Sequence, residues 1–539
     1  MMRILITEDL PERAVRLLQD EGWTVDFLKH LGGRRLADVL EDYDAVIVRS
    51  GTRLTADLLQ RARRLRVIGR PGAGVDNIDV EAATRQGIVV MNTPGQNSVA
   101  AAEHTLALIL CALRHVYAAC ASLKAHRWER VSFVGRELAG KVVGLYGLGR
   151  VGRELARRLR AFQARVQAYD PYVPLAIARE LDVQMVDFDT LVRTSDILSL
   201  HAPLTEETRG VFHRDVFRAM KPGVIFVNCA RGELVREADL LEALDEGRVA
   251  AAALDVLAQE PPRDWRLIDH PRVIATPHLG GSTVEAHEKV GYDIAVQVRD
   301  YLKYGIIRNA VNFPSVPESA QAFIQDYMRL GYALGQVAVQ VADFRPRRAH
   351  VEYWGRVARE ETRPVLAAVV AGLLRPVMGA GVNWVNAVAL AEDRGLEVTE
   401  IRQMTPRLYE SLLRIHLADE DGVVTVEGTV IQPGVLRLVA LWDATVDVPI
   451  QPYLLVVRNR DVPGAIGAMG QCLGQHGINI AYFGLARLES RGEAVGVIVA
   501  DEPVPEPVMA ALRGLPMVLW ASFVRVELTP PAGTPEEEE

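Results

Sequence analysis

The sequence predicts an α/β protein: two lobes built on parallel sheets, then an α+β domain, then a closing unit of ferredoxin-like β-α-β-β-α-β order. Three observations carry that expectation. Short apolar runs alternate with helically spaced segments from the first residues to about residue 312. A glycine-rich turn, Gly147-Leu148-Gly149-Arg150-Val151-Gly152, falls between an apolar run and a helical segment. Beyond Asn312-Phe313-Pro314-Ser315-Val316-Pro317, which reads as a linker, the pattern changes.

The elements follow in order. Arg3–Thr7 is strand-like, and Glu12–Glu21 places Ala14, Val15, Leu17 and Leu18 at helical spacing. Ala45–Val48, Leu65–Ile68 and Val89–Met91 are further buried-strand candidates. Ser98 to about Lys124 reads as one long helix, rich in alanine and leucine and able to bridge two lobes. A second α/β unit has strands at Val142–Tyr146, Arg165–Tyr169, Ile197–Leu200, Val224–Val227 and Val273–Ala275, with a helix at Arg150–Ala161. Glu285–Tyr304 is a further helix, after which the chain should return to the first lobe. In the next domain, His350–Trp354, Val423–Val430 and Val435–Ala440 are expected as strands, with helices at 317–340, 361–376 and 383–394. The last unit starts after Gln451-Pro452. The expected domains are therefore 1–98 with 285–312, 99–284, 317–450 and 452–528, followed by a disordered acidic tail at 529–539 that ends in Glu536–Glu539.

Composition excludes several function classes. A chain of 539 residues exceeds one core and suggests about three to four domains. With 61 Lys+Arg against 69 Asp+Glu, the net charge of −8 offers no footprint for nucleic acid. Cys111, Cys120, Cys229 and Cys472 are scattered, which argues against a disulfide framework or a metal site and fits the cytoplasm. The N-terminus does not read as a signal peptide, and apolar runs such as Val365–Leu374 fall short of the ~20 residues of a membrane span.

The glycine turn has the context of a dinucleotide site. A strand precedes it, a helix starts inside it, and the next strand ends in Asp170, 18 residues after Gly152. Gly147, Gly149 and Gly152 permit a tight turn and a close approach of backbone N–H groups to a pyrophosphate. Asp170 would accept from a ribose diol and repel a 2′-phosphate, which favours NAD over NADP, although Arg150 lies close by. Downstream come a cation, an acid and an imidazole: Arg231, Glu260 and His278. That set suits hydride transfer at a 2-hydroxy or 2-keto acid. Arg231 would anchor the carboxylate, His278 would move the proton, and Glu260 would orient the ring.

Residues 1–312 resemble the D-isomer-specific 2-hydroxyacid dehydrogenase family. The likeness rests on Arg70-Pro71-Gly72-Ala73-Gly74-Val75-Asp76-Asn77, Asn92-Thr93-Pro94, Gly144 to Gly152, Asn228-Cys229-Ala230-Arg231-Gly232, Ala253-Leu254-Asp255-Val256 and Thr276-Pro277-His278-Leu279-Gly280-Gly281. The resemblance implies two flavodoxin/Rossmann-like lobes with a cleft between them, NAD chemistry, and a dimer built on the nucleotide domains. It also implies cofactor contacts from Ala73, Arg150, Val151, Asp170, Ala202, Cys229, Asp255, Gly280 and Gly281. Asn97 would lie near the substrate, and Trp128 would pack against a second subunit.

The whole chain is similar to the long-form branch of that family, whose members act on 3-phosphoglycerate and carry an intervening domain and an ACT domain. Val385-Asn386-Ala387, Arg394-Gly395 and Glu427-Gly428-Thr429 match the first of these loosely. Arg460-Asp461-Val462-Pro463-Gly464-Ala465-Ile466 and His476-Gly477-Ile478-Asn479-Ile480 match the second specifically. This likeness implies oxidation of 3-phospho-D-glycerate in serine biosynthesis and a serine effector held by Asp461 and Asn479 at an ACT–ACT interface of a homo-oligomer, a dimer or tetramer. Arg49 and Arg70 follow strand candidates and suit the substrate phosphate, while the Gly72–Gly74 backbone would join Arg231 on the carboxylate. Two departures stand out: Pro71 replaces a small residue, and Trp442-Asp443 finds no counterpart. A hydroxypyruvate/glyoxylate reductase or another D-2-hydroxyacid dehydrogenase is the alternative enzyme, and an NAD-sensing scaffold the alternative outside enzymes.

Overall fold

A computed structural model describes residues 1–420, 422–488 and 492–528, so the expected acidic tail at 529–539 lies outside the described residues. The chain divides into two compact units. One comprises Met1–Arg70, Val75–Asn92 and the residues from Ile294 on; the other comprises Pro71–Gly74 and Thr93–Asp293.

The first unit opens with a five-stranded sheet in the order Thr24–Phe27, Arg3–Ile6, Ala45–Ile47, Val67–Arg70, Val89–Asn92. Every neighbouring pair in it is parallel. Its central strands are apolar on both faces, as a sheet covered by helices on each side requires. Ile4, Ile6 and Met91 belong to a core that runs on through Ile294, Val298, Tyr327, Tyr353 and Leu454, so the C-terminal half of the chain is welded to this lobe.

Two further sheets complete the unit. A six-stranded sheet has the order Glu397–Gln403, Arg348–Gly355, Ser411–Ala418, Val423–Gln432, Val435–Leu441, Ala444–Pro449. It is antiparallel apart from the first pair. Helices Glu318–Val341 and Arg363–Met378 pack on each other within that core. The last sheet is antiparallel, ordered Ile480–Leu488, Glu493–Ala500, Tyr453–Arg460, Val518–Arg525, with helices Ala465–Gln475 and Glu506–Arg513. That is the expected ferredoxin-like arrangement. Its edge strand is closed by glutamine side chains. Gln340 donates to the Arg525 carbonyl at 2.9 Å and accepts from the Arg525 N–H at 3.1 Å. Gln336 does the same at Glu527, at 3.1 and 2.9 Å.

The second unit holds a seven-stranded, wholly parallel sheet: Val273–Ala275, Val249–Leu254, Val224–Asn228, Ile197–Leu200, Val142–Tyr146, Arg165–Tyr169, Gln184–Met185. The strand order reverses between Val142–Tyr146 and Ile197–Leu200. In such sheets the crevice outside the carboxyl ends at this switch point receives the ligand.

Three expectations need correction. The stretch Ser98–Lys124 is two helices, Ser98–Arg114 and Val116–Lys124, because His115 adopts a left-handed conformation (φ 52°) and bends the pair by 64°. The division between units falls inside the helix Val284–Tyr304, at Asp293/Ile294, rather than at 285. The apolar stretch around Val365–Leu374 extends further than its sequence run suggested: Arg363–Gly381 is long and apolar enough to cross a membrane, with a mean hydropathy of 1.6. Val365 and Ala367–Leu374 are nevertheless buried in the protein, so this is a core helix.

Candidate active site

The glycine turn is built by close backbone approach. Gly147 has φ +103°, and a Cβ there would lie 2.8 Å from the Ala202 nitrogen. A Cβ on Gly152 would fall 2.5 Å from the Gly147 carbonyl oxygen, so the helix Arg150–Ala161 starts directly over the turn. Gly149 instead faces open space, where a pyrophosphate can approach the backbone. The Leu148 N–H donates to Asp170 Oδ2 at 2.8 Å, which draws the tip of the second strand onto the turn. Asp170 Oδ1 accepts from Tyr172 and Val173 N–H groups at 3.0 and 3.2 Å, fixing the carboxylate in its own loop. Under the turn, burial pushes His201 down to about 4, so its ring is neutral, with Nε2 2.9 Å from Ser199 Oγ. The Arg150 guanidinium bonds the Pro94 carbonyl. An open backbone cradle with an acid at the ribose position fits NAD.

The catalytic candidates lie on loops at the carboxyl ends of neighbouring strands. After Val224–Asn228, the Asn228 amide donates to the Arg231 carbonyl at 2.9 Å and its oxygen accepts from Ala230 N–H at 3.0 Å, which shapes the turn that presents Arg231. Arg231 Nη1 donates to the Ala230 carbonyl at 2.7 Å. Gly232 packs on Leu257, which leads to Glu260. Glu260 Oε1 accepts from Leu257 N–H at 3.1 Å, and Oε2 lies 2.7 Å from His278 Nδ1. That bond leaves Nε2 of His278 to meet a substrate proton.

Electrostatics follow from this pairing. The Glu260 hydrogen bond lifts His278 above its ordinary value, helped by the charges of Glu260 and Asp255 and opposed by burial and by Arg231. Burial by itself would raise Glu260, but the His278 bond and the Leu257 N–H outweigh it and hold the carboxyl below its usual range.

His278 itself has φ +56°, so its loop needs support. Asp255, 1 % exposed, supplies it. Oδ1 accepts from Thr276 Oγ1 at 2.6 Å and Leu279 N–H at 2.7 Å, and Oδ2 accepts from Gly280 N–H at 2.7 Å. His104 Nε2 lies 3.2 Å from the same Oδ1. The Asp255 carbonyl accepts from His278 N–H at 2.9 Å. Burial opposes the charge on Asp255, yet these donors keep its carboxyl below the usual range. Cys229 lies nearby, its thiol pushed up to about 12 by burial.

Of the other expected residues, Asn97 lies against Gly281, where a Cβ would be 2.8 Å from its amide nitrogen. Gly72 donates from its N–H to Thr93 Oγ1 at 2.6 Å. Arg49 and Arg70 belong to the first unit: Arg70 ends the strand Val67–Arg70 and Arg49 lies just past the adjacent strand Ala45–Ile47, with the Asn77 amide bonding the Arg49 carbonyl at 2.9 Å. In the last domain Asp461 pairs with Arg487 at 2.8 Å, and the Asn479 amide donates to Asp501. Sequence reasoning missed His104 and Thr276. A polar residue on the helix face that also carries Asn97 and Ala101 was the available signal for His104.

Comparison with known proteins places these features. Residues 106–280 match the family described as "D-isomer specific 2-hydroxyacid dehydrogenase, NAD binding domain", and residues 323–442 match the "D-3-phosphoglycerate dehydrogenase intervening domain". A D-3-phosphoglycerate dehydrogenase of Methanocaldococcus jannaschii is 38% identical over 521 residues, covering 96% of this chain and 98% of that protein. One from Bacillus subtilis is 34% identical over 524 residues, covering 97% and 99%. Among solved structures, a glyoxylate reductase from Paecilomyes thermophila superposes with TM-score 0.53 at 29% identity, covering 57% of this chain and 98% of that one. The chain belongs to the D-3-phosphoglycerate dehydrogenase family, within the NAD-binding D-isomer specific 2-hydroxyacid dehydrogenases.

Proposed function

We infer that the chain carries out the reaction for which its family is named, the NAD-dependent oxidation of 3-phospho-D-glycerate to 3-phosphohydroxypyruvate. The observation that carries this reading is the 2.7 Å contact between His278 Nδ1 and Glu260 Oε2, on loops within the segment that matches an NAD-binding domain. The Gly147–Gly152 turn and Asp170 would hold NAD, which would supply the hydride acceptor for C2 of the substrate. His278, neutral at the start, takes the C2-hydroxyl proton on Nε2. Glu260 holds the ring's tautomer and stabilises the imidazolium that forms. Arg231 and the backbone of Gly72–Gly74 hold the carboxylate, and Arg49 and Arg70 hold the phosphate with their planar guanidinium forks.

Full-length likeness to the phosphoglycerate enzymes, including the intervening domain, favours this over the reductase reading, for which the likeness covers 57% of the chain. We assign the product to serine biosynthesis and Asp461 and Asn479 to a serine effector site in an ACT domain. The large exposed side chains Tyr117, Trp128, Val131 and Val134 (Trp128 is 78% exposed) support a homo-oligomer built on the second unit. Four free cysteines suit the cytoplasm.

The test is a steady-state assay of the purified protein and its His278→Ala variant on phosphoglycerate, glycerate and glyoxylate. The expected result is turnover of phosphoglycerate that falls about 10²–10⁴-fold in the variant while NAD still binds. Normal turnover by His278→Ala would overturn the base assignment. A preference for glyoxylate would select the reductase, and no turnover with any of the three would select the scaffold.

A further inference from the structure

The helix Ser98–Arg114 meets the catalytic loop along one face. Asn97, immediately before the helix, lies against Gly281. Ala101, one turn on, faces Gly280, where a Cβ would sit 3.9 Å from it. His104, a further turn on, reaches Asp255 and Thr276 at 3.2 and 3.0 Å. The spacing 97, 101, 104 is that of a single helical stripe, so one rigid element touches the loop that carries His278 at both ends.

The hydrogen bonds fix the roles of the atoms. The Thr276 hydroxyl donates to Asp255 Oδ1 at 2.6 Å, so its proton is committed there. His104 Nε2 therefore carries a hydrogen, shared between the Asp255 oxygen and the Thr276 lone pair. Asp255 is 1 % exposed, and a buried carboxylate keeps its charge and place only while donors surround it. Three of those donors, Thr276, Leu279 and Gly280, belong to the His278 loop itself and move with it. His104 alone of the four comes from a separate helix.

We propose that His104 is a positioning residue for the hydride-transfer reaction: by donating to Asp255 and Thr276 it anchors the Thr276–Gly280 loop and holds His278 on Glu260. It touches neither substrate nor the reacting atoms. The loop needs such an anchor because His278 sits in a left-handed backbone conformation that a side chain rarely adopts. A base displaced by an ångström loses about 10²-fold in rate, so a loosened loop costs turnover before it costs binding. The inference rests on the reading of His278 as the base.

The experiment compares His104→Leu with His104→Gln in the full-length enzyme, alongside His278→Ala. Leucine fills the space without a donor, and the glutamine amide places an N–H near the position of Nε2. Expected is a kcat about 10- to 100-fold lower in His104→Leu, with the KM values for both substrates within about threefold of wild type. His104→Gln should recover most of that loss. The acid limb of kcat/KM, which reports His278, should shift to lower pH in His104→Leu, because the Glu260 bond that lifts it weakens. A merely structural residue would lower the melting temperature, lose activity equally in both variants and leave the limb in place. That pattern, or wild-type kcat in His104→Leu beside an inactive His278→Ala, overturns the proposal alone. An active His278→Ala overturns the assignment beneath it.

Discussion

Gly232 sits so close to Leu257 that a Cβ added to the glycine would lie 2.0 Å from the Leu257 carbonyl carbon. The turn after Arg231 and the turn before Glu260 are thereby locked backbone to backbone. A Gly232→Ala variant has no flexible atom to push aside and must separate the two turns. It should lose most of its turnover and melt at a lower temperature, with a cost of about 1–3 kcal/mol for overpacking. Calorimetry and a kcat measurement on the same sample check this, and wild-type values for both would refute the locked-turn account.

The raised proton affinity of His278 sets the pH dependence. Oxidation needs the neutral imidazole, so kcat/KM should fall on the acid side with an apparent pKa above the unperturbed ~6.5. Removing the acceptor charge in Glu260→Gln should bring that limb down. For stability the sign is opposite. The folded value is raised, so the contribution is complete below about pH 6.5 and is lost as pH rises through the folded value. Melting curves of wild type against His278→Ala should therefore converge on going from mildly acidic to alkaline solution.

Arg70 ends one strand of the first unit and Arg49 lies just beyond its neighbour. If these side chains grip the phosphate, Arg70→Ala should raise KM for phosphoglycerate about 10- to 100-fold, in line with losing a charged hydrogen bond of ~1.5–3 kcal/mol. Glycerate, which has no phosphate, should be turned over as before. An unchanged ratio of the two KM values would remove the arginine from that role.

Trp128 is exposed, as are Val131 and Val134 near it. Trp128→Glu should place a charge in the proposed subunit contact and halve the mass seen in sedimentation at low micromolar concentration. Retention of the full mass would move the contact elsewhere.

Serine is expected to slow the enzyme through Asp461, which now holds Arg487 at 2.8 Å. An ammonium group would compete for that carboxylate. Wild type should lose rate at millimolar serine and Asp461→Ala should not. Equal rates with and without serine in wild type would leave the last domain without this effector.

Much of the fold, and the residues of the candidate site, could be read from the sequence, because several features depend on local chemistry. The glycine turn and Asp170 declare themselves through backbone demands. Arg231, Glu260 and His278 do so through motif context. What stayed hidden depends on tertiary contacts. Ser411–Ala418 alternates Leu413, Ile415 and Leu417 with Arg414 and His416, both of which find Glu352 across the sheet, so its signature was alternation and not the continuous apolar run of the strands named from the sequence. The break at His115 has no proline or glycine to announce it. Asp255 gave no sequence sign that it anchors a loop, since its donors lie more than twenty residues away in Thr276, Leu279, Gly280 and His104.

The paired contacts of Gln340 with the end of the last strand and of Gln336 with Glu527 just beyond it make two side chains act as a missing neighbour strand. Cutting the chain near residue 450 would thus hand those amides to water and uncover the apolar side chains of the helix Glu318–Val341 that share a core with Leu454, Val456 and Val524. The terminal domain is a buttress, and a shortened enzyme would owe any altered behaviour as much to that exposed helix as to a lost regulatory signal.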